Sequence, residues 1–207
     1  MKERKQLLKR GDLERIAREF LEAVDPNPDR EGLKDTPKRM AKYWIELLEG
    51  QLYTNDEIAV MYDKCFDLDE SSETVLGQGL GRDLVVETNI PIFSHCEHHG
   101  ALMYDMKVSI AYIPKDRVIG LSKMARIAEM VGKRLQLQEK IGSDIAQIMI
   151  KILGTEDVAV FITGKHGCMT ARGVKSREAI TRTSCLNGLF MTEYSLRAEA
   201  ISLINKD

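Results

Sequence analysis

Three of the four histidines in the chain lie within one short stretch, together with one of its four cysteines. The stretch reads Ser-His-Cys-Glu-His-His over residues 94–99. Cys96 and His99 are three positions apart, a spacing that lets a tight turn present a thiolate and an imidazole to one metal ion. The pair alone is a weak signal, because a buried cysteine beside surface histidines would give the same pattern.

A second pair of metal-competent side chains occurs at His166-Gly167-Cys168. If this segment is a strand, His166 and Cys168 project from the same face, and Gly167 leaves room between them. The two pairs together offer two cysteines and one or more histidines. A Cys2His set with one open position is typical of catalytic zinc, whereas a structural zinc site normally closes with four protein ligands.

The four histidines cannot all be ligands. The predicted ligand set is Cys96, His99 and Cys168. This set leaves His98 and His166 near the metal and free to transfer protons near neutral pH. Zinc would lower the pKa of a bound water toward about 7 and supply hydroxide as a nucleophile. His95 has no clear role, and we expect a solvated side chain.

A cluster of anion-binding side chains is predicted near the start of a helix. Ser122 precedes Lys123 and Arg126, which are three positions apart and share one helix face. The helix N-terminus adds backbone N–H donors, and Arg172 follows Cys168 by four residues. Such a cluster suits a polyphosphate. For the two helix cations alone, a solvated helix face is the competing interpretation.

Gln138 and Glu139 lie in the link between two predicted helices. A carboxylate at this position could accept paired N–H donors from the edge of a guanine base. The residues alone do not distinguish this role from that of a cap for the second helix.

Hydrophobic periodicity predicts an α+β fold. Helical spacing from residue 12 to about 50 predicts an N-terminal helical hairpin, and strict alternation from Leu102 to Tyr112 predicts a half-buried strand. Two helices and further strands follow, including a strand over Lys165–Ala171. The expected arrangement is an antiparallel sheet with helices on one face. We predict two domains: residues 1–60, the hairpin and a linker, and residues 61–207, a catalytic domain.

Composition excludes several classes of function. The formal net charge is −2 over 207 residues, which argues against a non-specific nucleic-acid or membrane binder. No apolar run approaches the roughly 18 residues of a membrane span. The four cysteines are widely spaced and do not resemble a disulfide framework. We therefore expect a cytoplasmic protein with reduced thiols or metal ligands.

The motifs of this chain resemble those of the GTP cyclohydrolase I family. They occur in the same order as in the family, from about residue 12 to the end. The chain departs from the family pattern at Gly132, where serine or alanine is usual. The matching segments are 27–33 with 35–39, 94–99, 111–114 with 120–123, 136–139, and 166–169 with 171–173.

The resemblance implies roles for the residues already singled out. The zinc ligands would be Cys96, His99 and Cys168. The proton-transfer groups would be His98 and His166. The triphosphate of GTP would be held by Ser122, Lys123, Arg126 and Arg172. The guanine would be read by Gln138 and Glu139.

The resemblance also implies a fold, an assembly and a reaction. The family fold is the tunnelling fold, an antiparallel sheet with two helices on one face, preceded by a helical hairpin. Its members form decamers of two stacked pentamers with active sites between subunits. The implied reaction opens the guanine ring of GTP at C8 with zinc-bound hydroxide, releases formate and, after an Amadori rearrangement, closes to 7,8-dihydroneopterin triphosphate.

Two alternatives make different predictions about the site. Another tunnelling-fold enzyme, acting on a pterin or a deazapurine, would be expected to bind zinc through three histidines. Two of the three ligands predicted here are cysteines instead. A non-catalytic protein with structural zinc would close its site with four ligands. It would also have no need of Arg172, Lys123 or Glu139.

Overall fold

The strand with the strictest alternation lies in the middle of the main sheet. We analysed a computed structural model, which describes residues 4–68 and 83–206. The strand β3 (Leu102–Tyr112) pairs antiparallel with β2 (Val85–Cys96) on one side and with β6 (Val158–His166) on the other. The predicted half-buried strand is therefore present, although its last five residues, flanked on both sides, are all buried.

Two sheets organise the strands of the described residues. The main sheet has five strands in the order β5-β2-β3-β6-β7, in which only the β5–β2 pair is parallel. A separate antiparallel pair joins β1 to β4. The remaining strands are β1 (Cys65–Asp67), β4 (Arg117–Ile119), β5 (Leu135–Gln136) and β7 (Thr181–Leu186).

Helices precede, interrupt and follow the strands, so the fold is α+β with a mixed sheet. The described helices are α1 (Arg10–Val24), α2 (Thr36–Leu47), α3 (Asn55–Tyr62), α4 (Leu121–Gly132), α5 (Gln138–Leu153), α6 (Gly167–Thr170), α7 (Leu189–Thr192) and α8 (Tyr194–Ile204). Short 3-10 helices occupy Arg4–Gln6 and Glu49–Leu52. Helix α1 begins two residues before Asp12, which lies in its first turn rather than at its cap.

The main sheet carries helices on both faces. A side chain added at Gly142 in α5 would contact Ile162 of β6, so the face that carries Ile162 lies against α5. Successive strand residues point to opposite faces, and the neighbouring Ala159 and Phe161 pack instead with Phe190 of α7 and with α8. The prediction placed helices on one face only. The C-terminal helices add a smaller core on the other face.

The chain divides into two compact units, Met1–Tyr53 and Thr54–Asp207. In the first unit, α1 and α2 pack against each other. In the second, α3 packs against α4 and α5, and these two helices cover the sheet through β2, β6 and β7. All the residues predicted to do chemistry lie in the second unit.

A buried ionic network fixes the segment between α4 and α5. The Arg134 guanidinium lies 2.8 Å from the Asp144 carboxylate, and both side chains are almost fully buried. Arg134 also donates to Asn55 at the start of α3, and Asn55 and Lys140 donate to Asp144. A buried charge of this kind is retained only when it is paired and hydrogen-bonded. The network therefore holds β5 and the first turns of α5 in place.

Gly132 permits a close approach of α4 to β2. A Cβ atom at this position would lie 2.9 Å from the Phe93 carbonyl oxygen and 3.4 Å from the Ile92 side chain. Replacing Gly132 with alanine should therefore push the end of α4 away from β2 and lower the free energy of unfolding by about 1–3 kcal/mol. Urea denaturation of the purified variant measures this change.

Gly142, another buried helical glycine, provides the matched control. An added Cβ there would lie 3.4 Å from the Cys185 Cβ, an ordinary contact. Gly142→Ala should leave stability unchanged or raise it by up to about 1 kcal/mol through helix propensity. Equal stabilities for the Gly132→Ala variant and the parent protein would contradict the proposed close packing.

None of the helices in residues 4–68 and 83–206 combines the length and the apolar character needed to cross a membrane.

Candidate metal centre and active site

The turn between β2 and β3 positions the first two candidate ligands. Strand β2 ends at Cys96, whose carbonyl oxygen accepts hydrogen bonds from the backbone N–H groups of His99 and Gly100. Gly100 has a φ of +60°, a conformation that glycine adopts without steric cost. The Cys96 N–H then donates to the Ala101 carbonyl, which closes the turn. The turn brings the His99 imidazole back toward the Cys96 thiol.

The third candidate ligand lies on a helix rather than a strand. Strand β6 ends at His166, and α6 begins at Gly167, so the predicted strand over Lys165–Ala171 is wrong beyond His166. A Cβ at Gly167 would lie 2.8 Å from the Leu102 carbonyl oxygen. Close approach to β3, rather than strand alternation, explains the glycine. The turn into α6 then carries the Cys168 thiol toward β2.

These elements bring together one atom each from Cys96, His99 and Cys168, all within 4.8 Å of one another. Cys96 is buried, Cys168 is partly buried and His99 is exposed, so one side of the group is open. The group could hold a metal ion. Two thiols and an imidazole are donors that soft or borderline metals prefer.

The surroundings of Cys168 disfavour ionisation of its thiol when no metal is bound. Burial raises the pKa of the Cys168 thiol, and the adjacent Cys96 thiol raises it further, while Arg172 lowers it. A bound cation reverses this preference, because a coordinating thiol loses its proton. Arg172 also lies beside the centre, with Nη1 3.1 Å from His99 Nε2.

A hydrogen bond from Tyr104 fixes the far end of α6. The Tyr104 hydroxyl of β3 donates to Thr170 Oγ1 at 3.1 Å, two residues beyond Cys168. Tyr104→Phe should therefore loosen α6 and weaken metal binding by about tenfold, the lower end of the range seen when groups that orient ligands are removed. Competition with a chromogenic chelator measures the affinity.

A double-mutant cycle tests the assignment of this bond. Thr170→Val removes the other partner, and the double variant should bind metal no more weakly than the worse single variant, because the two changes break the same hydrogen bond. Additive losses from the two single changes would show that Tyr104 acts on the centre by another route.

His98 and His166, the two histidines predicted to transfer protons, differ in exposure and in their contacts. His98 is exposed, and its ring centroid lies 6.3 Å from that of His99 at an interplanar angle of 84°. His166 is partly buried, with Nε2 2.9 Å from Gln138 Oε1. Removal from water lowers the pKa of His166, whereas the negative charge of Glu139 raises it. Glu139 follows Gln138 directly in α5, which places it on the segment that contacts His166.

The structure gives Gln138 partners within the chain. It is the first residue of α5 and is 1% exposed. Its side-chain amide nitrogen lies within hydrogen-bonding distance of the Ile162 carbonyl at 3.3 Å, the Thr181 carbonyl at 3.3 Å and the Thr183 hydroxyl at 3.2 Å. Motif spacing singled out Gln138 but contained no signal for these partners, which come from two strands distant in sequence.

His95 is buried, so the predicted solvated side chain is wrong. The residue is 8% exposed, and burial lowers the pKa of its imidazole. The reason is its place in the sheet: His95 pairs with Leu102 of β3 on one side and with Leu135 of β5 on the other. A short parallel strand such as β5 leaves little periodic signal in the sequence.

The predicted anion cluster lies at the start of α4. Ser122 and Arg126 are exposed and Lys123 is partly exposed. Among the described residues, no carboxylate pairs with Lys123 or Arg126, and no hydrogen bond joins the cluster to the metal group. The end of α4 that touches β2 is Gly132. At about 1.5 Å per residue, Ser122 lies about 15 Å from that end along the helix.

Comparison with known proteins agrees with the geometry. The family model described as GTP cyclohydrolase I matches residues 13–205. A protein named GTP cyclohydrolase 1 from Clostridium botulinum (strain Loch Maree / Type A3) is 54% identical over 194 residues, covering 94% of this chain and 96% of the relative.

Two further relatives with the same name give similar values. The protein from Clostridium acetobutylicum is 51% identical over 193 residues, covering 92% of this chain and 95% of the relative. The protein from Ruminiclostridium cellulolyticum is 53% identical over 187 residues, covering 90% of this chain and 93% of the relative. Identity above half over nearly the full length of both chains, with the three metal-competent side chains assembled, shows that this chain belongs to the GTP cyclohydrolase I family.

Proposed function

We propose that the chain is a zinc-dependent GTP cyclohydrolase I. It opens the imidazole ring of GTP at C8 by hydrolysis, releases C8 as formate, and forms 7,8-dihydroneopterin triphosphate after an Amadori rearrangement and ring closure. The net reaction consumes one water and needs no oxidant or reductant. This product begins pterin and tetrahydrofolate biosynthesis. The observation that carries the proposal is the assembly of Cys96, His99 and Cys168 in a chain of this family.

The donor set fits zinc. Catalytic zinc sites combine three protein ligands with an open position, and Cys2His is one of the known sets. The exposure of His99 beside a buried Cys96 supports an opening on one side of the group. When bound, zinc supplies an electrophilic centre that makes water a nucleophile near neutral pH.

His98 and His166 are the proposed proton-transfer residues. Opening the imidazole ring requires a proton on a ring nitrogen of guanine as the bonds to C8 break. Histidine can donate that proton and later accept one near neutral pH. The exposed His98 can approach substrate from the solvent side, and the partly buried His166 is oriented from within by α5.

Charged side chains bind the two ends of the substrate in this proposal. The cluster at the start of α4, Ser122 with Lys123 and Arg126, binds the triphosphate together with Arg172. The Glu139 carboxylate accepts the paired N–H groups of guanine, with Gln138 contributing to the same end of the site. Arg172 beside His99 and Glu139 near His166 support a site in which both substrate ends lie close to the metal group.

Several features favour active sites shared between subunits. Within one chain, the start of α4 lies about 15 Å from the helix end that touches β2. Among the described residues, no strand pairs with the outer edge of β7, and the other edge of the sheet is the two-residue strand β5. We propose a tunnelling fold over residues 61–207, preceded by a helical hairpin and linker over 1–60, and a homodecamer of two stacked pentamers.

The four free cysteines and a nucleotide substrate suit a reducing, cytoplasmic location. We therefore propose that the enzyme works in the cytoplasm on free GTP, without a nucleic-acid or membrane partner.

Incubation of the zinc-loaded protein with GTP tests the proposal. We expect formate and, after mild oxidation, fluorescent neopterin phosphates in equal amounts. A related enzyme acting on a pterin would leave GTP unchanged and consume dihydroneopterin triphosphate instead. The absence of formate and neopterin from protein with its full zinc content would contradict the proposed function.

A further inference from the structure

The side-chain amide of Gln138 has one possible orientation. Its nitrogen faces two backbone carbonyl oxygens, at Ile162 and Thr181, and the Thr183 hydroxyl. Carbonyl oxygens only accept hydrogen bonds, so exchanging the amide oxygen and nitrogen would place Oε1 against two acceptors. The amide nitrogen therefore faces the strands, and Oε1 faces His166 at 2.9 Å.

This orientation determines which nitrogen of His166 carries a proton. Gln138 Oε1 is an acceptor, so the hydrogen bond requires an N–H at His166 Nε2. In the neutral imidazole the other nitrogen, Nδ1, then has the free lone pair. The hydrogen bond to one ring nitrogen sets the role of the other, as in other sites where a partner holds a catalytic histidine in one tautomer.

Gly164 of β6 leaves the space that the amide needs. A Cβ atom at this position would lie 3.2 Å from Gln138 Oε1 and 2.9 Å from the Met106 side chain. Gln138 is only 1% exposed and its amide is hydrogen-bonded on both sides, so little of this side chain is available for a direct contact to guanine.

We propose that Gln138 is a positioning residue that holds His166 as the Nε2–H tautomer, so that His166 exchanges protons with the substrate through Nδ1. The tautomer follows from the contacts of Gln138 alone. Its consequence for turnover rests on the proposed function. Glu139, the next residue in the chain, is then the side chain that meets the guanine edge, and the two neighbours have separate tasks.

The first test measures the tautomer directly, without substrate. Solid-state NMR of zinc-loaded protein labelled with 15N in the histidine rings distinguishes protonated from unprotonated ring nitrogens, and a His166→Asn variant identifies the His166 signals. At a pH where His166 is neutral, we expect a protonated Nε2 and an unprotonated Nδ1. The opposite tautomer in the parent protein would overturn the proposal, whether or not GTP is turned over.

The second test separates positioning from substrate binding. Gln138→Met keeps the length of the side chain and removes both the acceptor and the donor. We expect kcat to fall about 100-fold, while KM for GTP changes by less than about threefold. The variant should keep the zinc content of the parent protein. The His166 spectrum should show a mixture of tautomers.

Gln147→Met is the matched control, because Gln147 is exposed on the same helix. It should leave kcat, KM and the His166 spectrum unchanged. A Gln138→Met variant with a KM for GTP raised at least tenfold and an unchanged kcat would overturn the positioning role and favour direct guanine recognition. Absence of GTP turnover in the parent protein, with the expected tautomer present, would contradict only the proposed function.

Discussion

Replacing Cys168 with alanine should remove metal binding and GTP turnover together. The thiol is one of only three donor atoms that meet within 4.8 Å among the described residues, so its loss leaves two ligands, Cys96 and His99. Removal of a group that merely orients a ligand costs roughly 10- to 100-fold in metal affinity or activity. Loss of a ligand itself should exceed that range. Metal analysis after gel filtration and a formate assay measure the two effects.

Cys65→Ala is the control for this prediction. Its thiol lies on β1, outside the metal group, so the variant should keep the zinc content and the turnover of the parent protein. Circular dichroism of the Cys168→Ala variant checks that the sheet remains, since Tyr104 and Thr170 still connect α6 to β3. A folded Cys168→Ala protein with full metal content would mean that the centre uses a donor outside this set.

The metal group shows which features of a site can be predicted from the spacing of residues in the sequence. Cys96 and His99 are close in sequence, and their turn could be anticipated from the spacing alone. Cys168 was expected beside them for an incorrect reason, namely that it would share a strand face with His166. The strand in fact ends at His166 and a helical turn follows from Gly167, where a Cβ atom would lie 2.8 Å from the Leu102 carbonyl oxygen. The structure brings Cys168 close to Cys96 and His99, as expected, but through a different local structure.

Periodicity identified the long elements. The alternation in β3 and the helical spacing in α4 and α5 are strong because each element is long enough to repeat its period several times. The two-residue strand β5 and the four-residue helix α6 are too short to show a period. Both border the candidate metal group, so sequence periodicity was least informative beside the candidate site.

Burial of single polar residues could not be predicted, since it depends on neighbours distant in sequence. His95 is covered because Leu102 and Leu135 flank it on adjacent strands. Gln138 is covered because its amide meets carbonyl groups of β6 and β7. Both residues lie within sequence motifs, but the motifs did not specify whether the side chain faces solvent, substrate or another residue.

Replacing His98 with alanine should preserve metal binding while lowering turnover by about 10²- to 10⁴-fold, the usual contribution of a positioned acid or base. His98 lies in the same turn as two candidate ligands, yet it is not one of the three residues whose donor atoms meet. Its ring lies edge-on to that of His99, with the two centroids 6.3 Å apart. Zinc content, KM for GTP and kcat should be measured on the same preparation.

The neighbouring His99→Ala variant should show the opposite pattern. Because His99 contributes a donor atom to the group, its removal should release the metal and abolish turnover, as for Cys168. His98→Ala should differ by keeping the metal, and its KM for GTP should change little if His98 acts in proton transfer rather than in substrate binding. Loss of zinc from the His98→Ala protein would show that the two adjacent histidines had been assigned the wrong way round.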